Sequence, residues 1–408
     1  MKCRHCNHLL QHQFLDLGFA PPSNAYLSQA DLTRPELYYP LKLYVCERCW
    51  LVQTEDYAAA DSLFASDYAY FSSTSSGCVQ HAKQYSEKII EILSLTKNSF
   101  VIEVASNDGY LLKNFVEQDI PCLGIEPTDS TADAAEKLNI PVLRDFFGET
   151  LAKKLVSSGK QADLIIGNNV YAHVPDINDF TRGLKALLKA SGTITLEFPH
   201  LLQLIKHCQF DTVYHEHFSY LSLFTVSLIF EKAGLRIFDV EELPTHGGSL
   251  RIYACHQEHK RPVSQIVADI LKQEQDAGMR SLMLYQNFQA RADAIKNQLL
   301  SFLIEQKNKK KVVVAYGAAA KGNTLLNYAG IKPDLVPVVF DAAKSKQGQY
   351  LPGSHIPILA PEQLKDMSPD VVLILPWNIA DEVITQNSVL VPFNTEWVVA
   401  IPEMQVYE

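Results

Sequence analysis

The sequence predicts an α/β protein in which two doubly wound sheets follow a small cysteine-rich module. Three observations carry that prediction. Short apolar runs alternate with amphipathic helical stretches from about residue 100 onward. The alternation gives way to a long helical stretch and restarts near residue 311. Two Cys-x-x-Cys pairs, Cys3/Cys6 and Cys46/Cys49, stand ahead of both blocks. A chain of 408 residues is also too long for one core, so two or three domains are expected. The division is 1–66 for the cysteine module, 67–258 for the first α/β domain, 259–310 for a helical connector and 311–408 for the second α/β domain.

Taken in order, the first 60 residues read as short strands and turns, because Pro21, Pro22 and Pro35 break any helix. Residues 67–77 are aromatic and then rich in Ser and Thr, which predicts a loop. Residues 79–95 predict a helix with Ile89, Ile90 and Leu93 on one side. Strands follow at 100–104, 122–125, 164–166 and 193–198, and a late pair at 235–240 and 249–255 completes the sheet. Residues 262–308 predict helix, with no proline after the first position. The second block places strands at 311–316, 335–340 and 370–375.

Composition excludes several functions. Lys and Arg number 36 against 46 Asp and Glu, a net charge of −10, which argues against a general grip on nucleic acid. No run approaches the ~20 apolar residues needed to span a bilayer, so no membrane partner is expected. The N-terminal residues show no apolar export signal, and eight cysteines are too sparse for a disulfide scaffold. Both features point to a reducing cytoplasm.

Each Cys-x-x-Cys turn can present two thiolates to one tetrahedral ion, so Cys3, Cys6, Cys46 and Cys49 predict a zinc site. Four thiolates leave no open coordination position, which makes the zinc structural. His5 and His8 lie nearby but are superfluous as ligands.

The run from Val101 to Leu112 reads as strand, tight small-residue turn and helix start. Glu103, Ala105, Asn107 and Gly109 are its candidate cofactor contacts, because small residues admit a ligand and a helix start supplies free N–H groups. The run resembles the first motif of Rossmann-like methyltransferases, with Ala105 where a glycine is usual. Glu126 ends the next strand, where a carboxylate can accept both ribose hydroxyls. Asp145 and Phe146 follow the third strand, where adenine is commonly held, and Asn168 closes the fourth. An NAD-dependent dehydrogenase is the competing reading, and it lacks the G-x-G-x-x-G spacing.

Acid–base groups are dense in the run from Asp211 to Tyr220, where Tyr214, His215, Glu216, His217 and Tyr220 fall within seven positions. If the segment is extended, His215 and His217 share one side and Tyr214 and Glu216 the other. His173 follows the fourth strand and can converge with them at the crevice. This inventory suits a base that removes a proton, a carboxylate that orients it and a donor that stabilises negative charge. In the second block, Gly317 to Thr324 forms a strand–turn–helix that can cradle phosphate, with Lys321 as a point charge. His246, Gly247 and Arg251 suit a phosphorylated or hydroxyl-rich ligand.

The whole chain resembles the S-adenosylmethionine-dependent C-methyltransferases of nucleotide-linked 4-keto-6-deoxyhexoses. The resemblance rests on the paired Cys-x-x-Cys motifs and Tyr68-Ala69-Tyr70-Phe71-Ser72-Ser73-Thr74. It rests equally on Glu103-Val104-Ala105-Ser106-Asn107-Asp108-Gly109, Tyr214-His215-Glu216-His217-Phe218, His246-Gly247-Gly248-Ser249-Leu250-Arg251 and Gly317-Ala318-Ala319-Ala320-Lys321-Gly322-Asn323-Thr324. It implies S-adenosylmethionine and zinc as cofactors, and a ketosugar linked to a dTDP- or GDP-type nucleotide, methylated at C3. It also implies His217 as base, with Tyr214, Glu216 and His173 around the sugar, Tyr68 over the site, and Asn323 beside Lys321 on the substrate. O- or N-methylation of a nucleotide sugar, or a non-catalytic scaffold that binds one, are the alternatives.

Overall fold

The computed structural model describes residues 1–55, 57 and 71–407. Tyr68 lies outside the described residues. Strands β1 (His12–Ala20), β2 (Tyr39–Val45) and β3 (Val52–Thr54) form an antiparallel sheet over the cysteine module. Helix α1 (Ser76–Leu93) starts where the Ser75 hydroxyl accepts the Cys78 N–H and ends on a left-handed Ser94.

The second sheet comprises β4 (Val101–Val104), β5 (Cys122–Ile125), β6 (Val142–Leu143), β7 (Ala162–Asn168) and β8 (Leu188–Pro199), all parallel. Helix α2 (Asp129–Glu136) connects β5 to β6, and α3 (Ile177–Leu187) connects β7 to β8. Strand β9 (Ser219–Tyr220) then leaves this sheet to pair with β3. Helix α4 (Leu223–Ala233) leads into the antiparallel pair β10 (Leu235–Leu243) and β11 (Ser249–His256). The order is β10-β11-β8-β7-β4-β5-β6. Its direction of winding reverses between β4 and β7, and a ligand crevice opens at the carboxyl ends of the strands at such a point. All four residues of β4 are buried, as a strand covered on both faces requires.

The helical stretch is not continuous. It breaks after α5 (Gln265–Asp276) at Gly278, whose φ is +83°, and resumes in α6 (Phe288–Asn308). Nor is it a free connector. Phe288 packs on Phe14 of β1 with ring centroids 4.6 Å apart, and one core runs from β1 through α6 into the last domain.

That domain contains β12 (Val313–Tyr316), α7 (Ala320–Ala329), β13 (Val339–Phe340), β14 (Ile358–Leu359), β15 (Val371–Ile374), β16 (Glu396–Val399) and β17 (Gln405–Tyr407). Its sheet order is β14-β13-β12-β15-β16-β17, with only β17 antiparallel. The strand expected over 335–340 shortens to Val339–Phe340, because Pro337 has no N–H for the ladder. Among the described residues, no helix is long and apolar enough to cross a membrane.

Candidate active site

Beyond β4 the chain turns through Ala105 and Asn107, both left-handed at φ +56° and +49°. Glu126, at the end of β5, holds that turn. Its Oε2 accepts the Asn107 N–H at 2.9 Å, and its Oε1 accepts the Thr128 N–H at 3.0 Å and hydroxyl at 2.5 Å. At Gly109 a Cβ would lie 2.4 Å from Ile140 Cδ1 and 3.1 Å from the Ala135 Cβ, so the absence of a side chain admits α2 and its following turn.

Glu103 Oε2, Asp108 Oδ1 and Asn168 Oδ1 are buried acceptors with no donor among the described residues. Burial, then the neighbouring Glu126 and Asp108, pushes the Glu103 carboxyl well above the usual range. Asp145 and Phe146 line a shallow cleft of about 370 Å³, and the Phe146 ring is 46% exposed.

The Tyr214–His217 segment is a turn, not an extended strand: the His217 N–H donates to the Tyr214 carbonyl at 3.0 Å. The expected alternation of sides therefore fails. His215 faces the Pro40 carbonyl at 3.3 Å, and Glu216 accepts both of its hydrogen bonds from Asn24 Nδ2, at 2.9 and 2.7 Å. Among the described residues, no carboxylate is hydrogen-bonded to His217. Its Nδ1 lies 2.9 Å from the Thr212 carbonyl. A carbonyl only accepts, so Nδ1 carries the proton and Nε2 keeps its lone pair.

Around that imidazole, ring centroids lie at 3.9 Å for Tyr214, 4.6 Å for His173 and 5.9 Å for Tyr220. His173 comes from the short turn Tyr171–His173 after β7, at the crevice. Burial, then His173, His246 and Lys321, holds the His217 pKa well below its ordinary value. Burial lowers His173 and His246 to about 4 each. All three imidazoles are neutral at neutral pH.

The last domain closes the other side. Lys321 stands in the first turn of α7, where its Nζ donates to Asn378 Oδ1 at 2.6 Å and lies 4.8 Å from the Trp377 ring centroid. Trp377 Nε1 donates to Asp211 Oδ2 at 2.7 Å, while Asp211 Oδ1 has no donor among the described residues. Burial raises Asp211 to about 6, against the pull of Lys321. A Cβ at Gly247 would meet Trp377 at 2.3 Å, so the His246 loop packs directly against this group.

Two of the expected substrate contacts already have partners within the fold. Arg251 is buried, 2.6 Å from Glu197 Oε2 and 4.3 Å from the Tyr85 ring centroid, so its charge is already neutralised inside the fold. Asn323 is fully buried and donates to the Ser23 carbonyl at 2.7 Å. The Gly317 turn is also partly occupied, because the Ala318 N–H donates to Asp341 Oδ2 at 2.7 Å. Trp377 was not among the sequence candidates. Trp377 follows β15, beside the reversal in the winding of the last domain's sheet, and that position was the available signal.

The four cysteine sulfurs all lie within 4.8 Å of one another. The two turns that present them share one design. Asn7 donates to the Cys3 carbonyl at 2.9 Å and Trp50 to the Cys46 carbonyl at 2.8 Å, and both residues are left-handed, at φ +60° and +62°. A closed set of four thiolates suits structural zinc and leaves no site for a catalytic water.

Comparisons with known proteins cover most of the chain. Residues 3–64 match a zinc binding domain model, 79–240 a methyltransferase domain model and 244–402 the model of a C-methyltransferase C-terminal domain. C-methyltransferase NovU from Streptomyces niveus is 32% identical over 405 residues, spanning 99% of this chain and 96% of NovU. Among solved structures, PH0226 protein from Pyrococcus horikoshii OT3 is 14% identical, covers 46% of this chain and 95% of its own, and has a TM-score of 0.38. Magnesium protoporphyrin IX methyltransferase from Synechocystis PCC 6803 is 14% identical, covers 44% of this chain and 81% of its own, and has a TM-score of 0.33. The donor chemistry agrees with the family models, since the unpaired oxygens of Glu103, Asp108 and Asn168 suit a ligand bearing an ammonium and a sulfonium. The chain belongs to the C-methyltransferase family, as an S-adenosylmethionine-dependent enzyme with a structural zinc in its N-terminal module.

Proposed function

We propose that the carbon methylated is C3 of a nucleotide-linked 4-keto-6-deoxyhexose, and that His217 begins the reaction by removing its proton. The observation that carries this reading is the His217 imidazole. It is neutral, and its proton is tied to the Thr212 carbonyl through Nδ1, leaving Nε2 free as a base. A ketone acidifies the adjacent carbon, so Nε2 takes the C3 proton while the electron pair moves toward the C4 oxygen. In this reading Tyr214 and His173, packed against the His217 ring, are the donors that hold that oxyanion. Buried imidazolium is unfavourable, so His217 releases its proton again after each cycle.

When bound, S-adenosylmethionine supplies an electrophilic methyl group. Glu103, Asp108 and Asn168 hold its cationic end, Glu126 its ribose, and Asp145 with Phe146 its adenine. Lys321 faces the nucleotide diphosphate, and His246 and Gly247 form the wall beside it. Methylation of an oxygen or nitrogen already bearing a lone pair would need less acid–base equipment than this.

A panel of dTDP- and GDP-linked 4-keto-6-deoxyhexoses, assayed for S-adenosylhomocysteine release with the product carbon located by NMR, tests the proposal. The expected result is a methyl group on the carbon beside the ketone. A methyl on oxygen, or turnover with a ketone lacking any nucleotide, contradicts it.

A further inference from the structure

The zinc module is bonded to the wall that carries His217 and His173, through residues that are not zinc ligands. Gln53 is fully buried. Its Nε2 donates to Cys3 Sγ at 3.3 Å and its Oε1 accepts the Arg4 N–H at 2.9 Å. Its backbone pairs with Ser219 in the β3/β9 ladder, two residues from His217. Next to it, the Thr54 N–H donates to the Phe218 carbonyl at 3.2 Å and the Thr54 hydroxyl to the His217 carbonyl at 3.3 Å.

Arg4 lies between the first two cysteines and reaches both halves of the wall. Its guanidinium donates to the Pro175 carbonyl at 2.8 Å and the Thr54 carbonyl at 2.9 Å, and lies 5.4 Å from the Phe218 ring centroid. Asn178, just beyond the His173 turn, donates to the Arg4 and His5 carbonyls at 3.0 Å each. The Phe218 N–H, donating to the Ala172 carbonyl at 2.8 Å, joins the two halves to each other.

We propose that Arg4 and Gln53 are positioning residues that use the rigid zinc knuckle to fix the His217 segment against the His173 turn. Metal coordination holds the Cys3-x-x-Cys6 turn in one geometry, and the residues inside that turn transmit it. A misplacement of about 1 Å at a base costs roughly 100-fold in rate, so bracing of this kind acts on catalysis as well as on folding. The proposal rests on the reading of His217 as base, and its test keeps the two apart.

Arg4→Ala and Gln53→Leu in the full chain are measured for zinc content, cofactor affinity, kcat and KM, and amide hydrogen exchange. Zinc should remain at one per chain and cofactor affinity should not change. The value of kcat should fall about 10- to 100-fold. Amides at Thr54, His217 and Phe218 should exchange about tenfold faster or more, while β4 and β7 keep their protection. Arg4→Lys, which can still reach one carbonyl, should recover part of kcat. Wild-type kcat and wild-type exchange at Phe218 in both variants overturns the proposal. Faster exchange in Arg4→Ala alongside full turnover in His217→Asn leaves the bracing intact and removes the base assignment. If neither variant folds, Arg4→Lys decides: faster exchange at residues 54 and 217–220 with β4 and β7 still protected supports the bracing, and wild-type exchange there refutes it.

Discussion

A carboxyl group buried beside a single amide, as Glu216 is beside Asn24, keeps its proton until about pH 7. In the unfolded chain the same group ionises near its ordinary value of 4.5. Between those limits the unfolded state binds fewer protons, so this group's contribution to stability falls as pH rises from about 4.5 to about 7. Above that the loss is complete. Glu216→Gln removes the titration, so the variant's urea midpoint should gain on the wild type between pH 5 and pH 8. A difference between the two proteins that does not change with pH contradicts the assignment. Glu126 is held by more partners, since its two oxygens accept three hydrogen bonds from Asn107 and Thr128. Glu126→Ala should weaken S-adenosylmethionine binding by roughly 1.5–3 kcal/mol, the range for hydrogen bonds to a charged group. Unchanged affinity by calorimetry would reduce Glu126 to a loop anchor.

At the scale of elements, the strands were the most legible part of the sequence. The observed β5, Cys122–Ile125, coincides with the apolar run that predicted it, and β10 and β11 complete the sheet as expected. Apolar runs bounded by turns suffice for that, because a strand buried on both faces declares itself by composition. The Tyr214–His217 turn was not legible, since a two-residue period assumes an extended backbone. The partners of Arg251 and Asn323 were hidden for another reason. They lie at Glu197 and Ser23, 54 and 300 residues away, and no local pattern encodes a contact at that separation. Zinc was readable because each ligand pair is local. The packing at Gly109 was not legible either: its φ of +78° and its nearness to Ile140, 31 residues on, make it a packing position. Gly109→Ala should destabilise the protein by at least ~1–2 kcal/mol, the cost of a left-handed L-residue, before any clash. A thermal midpoint equal to wild type contradicts that.

Across the whole molecule, the acid–base cluster exists only where the three parts meet. His173 comes from the second sheet, Lys321 and Trp377 from the last domain, and the support under His217 from the zinc module. Cys46→Ser should therefore lose zinc and solubility together, because metal binding here is part of folding. Full zinc content in that variant, by elemental analysis, would contradict the four-thiolate site. The central claim concerns His217 itself, and substrate deuterium exchange tests it most directly. The proposed ketosugar substrate is incubated in D₂O with enzyme and S-adenosylhomocysteine, so that proton removal can occur without methyl transfer. Wild-type enzyme should introduce deuterium at the carbon beside the ketone. His217→Asn, with both ligands still bound, should slow that exchange by about 10²–10⁴-fold, the usual share of general base catalysis. Exchange at the wild-type rate in His217→Asn would show that another group removes the proton.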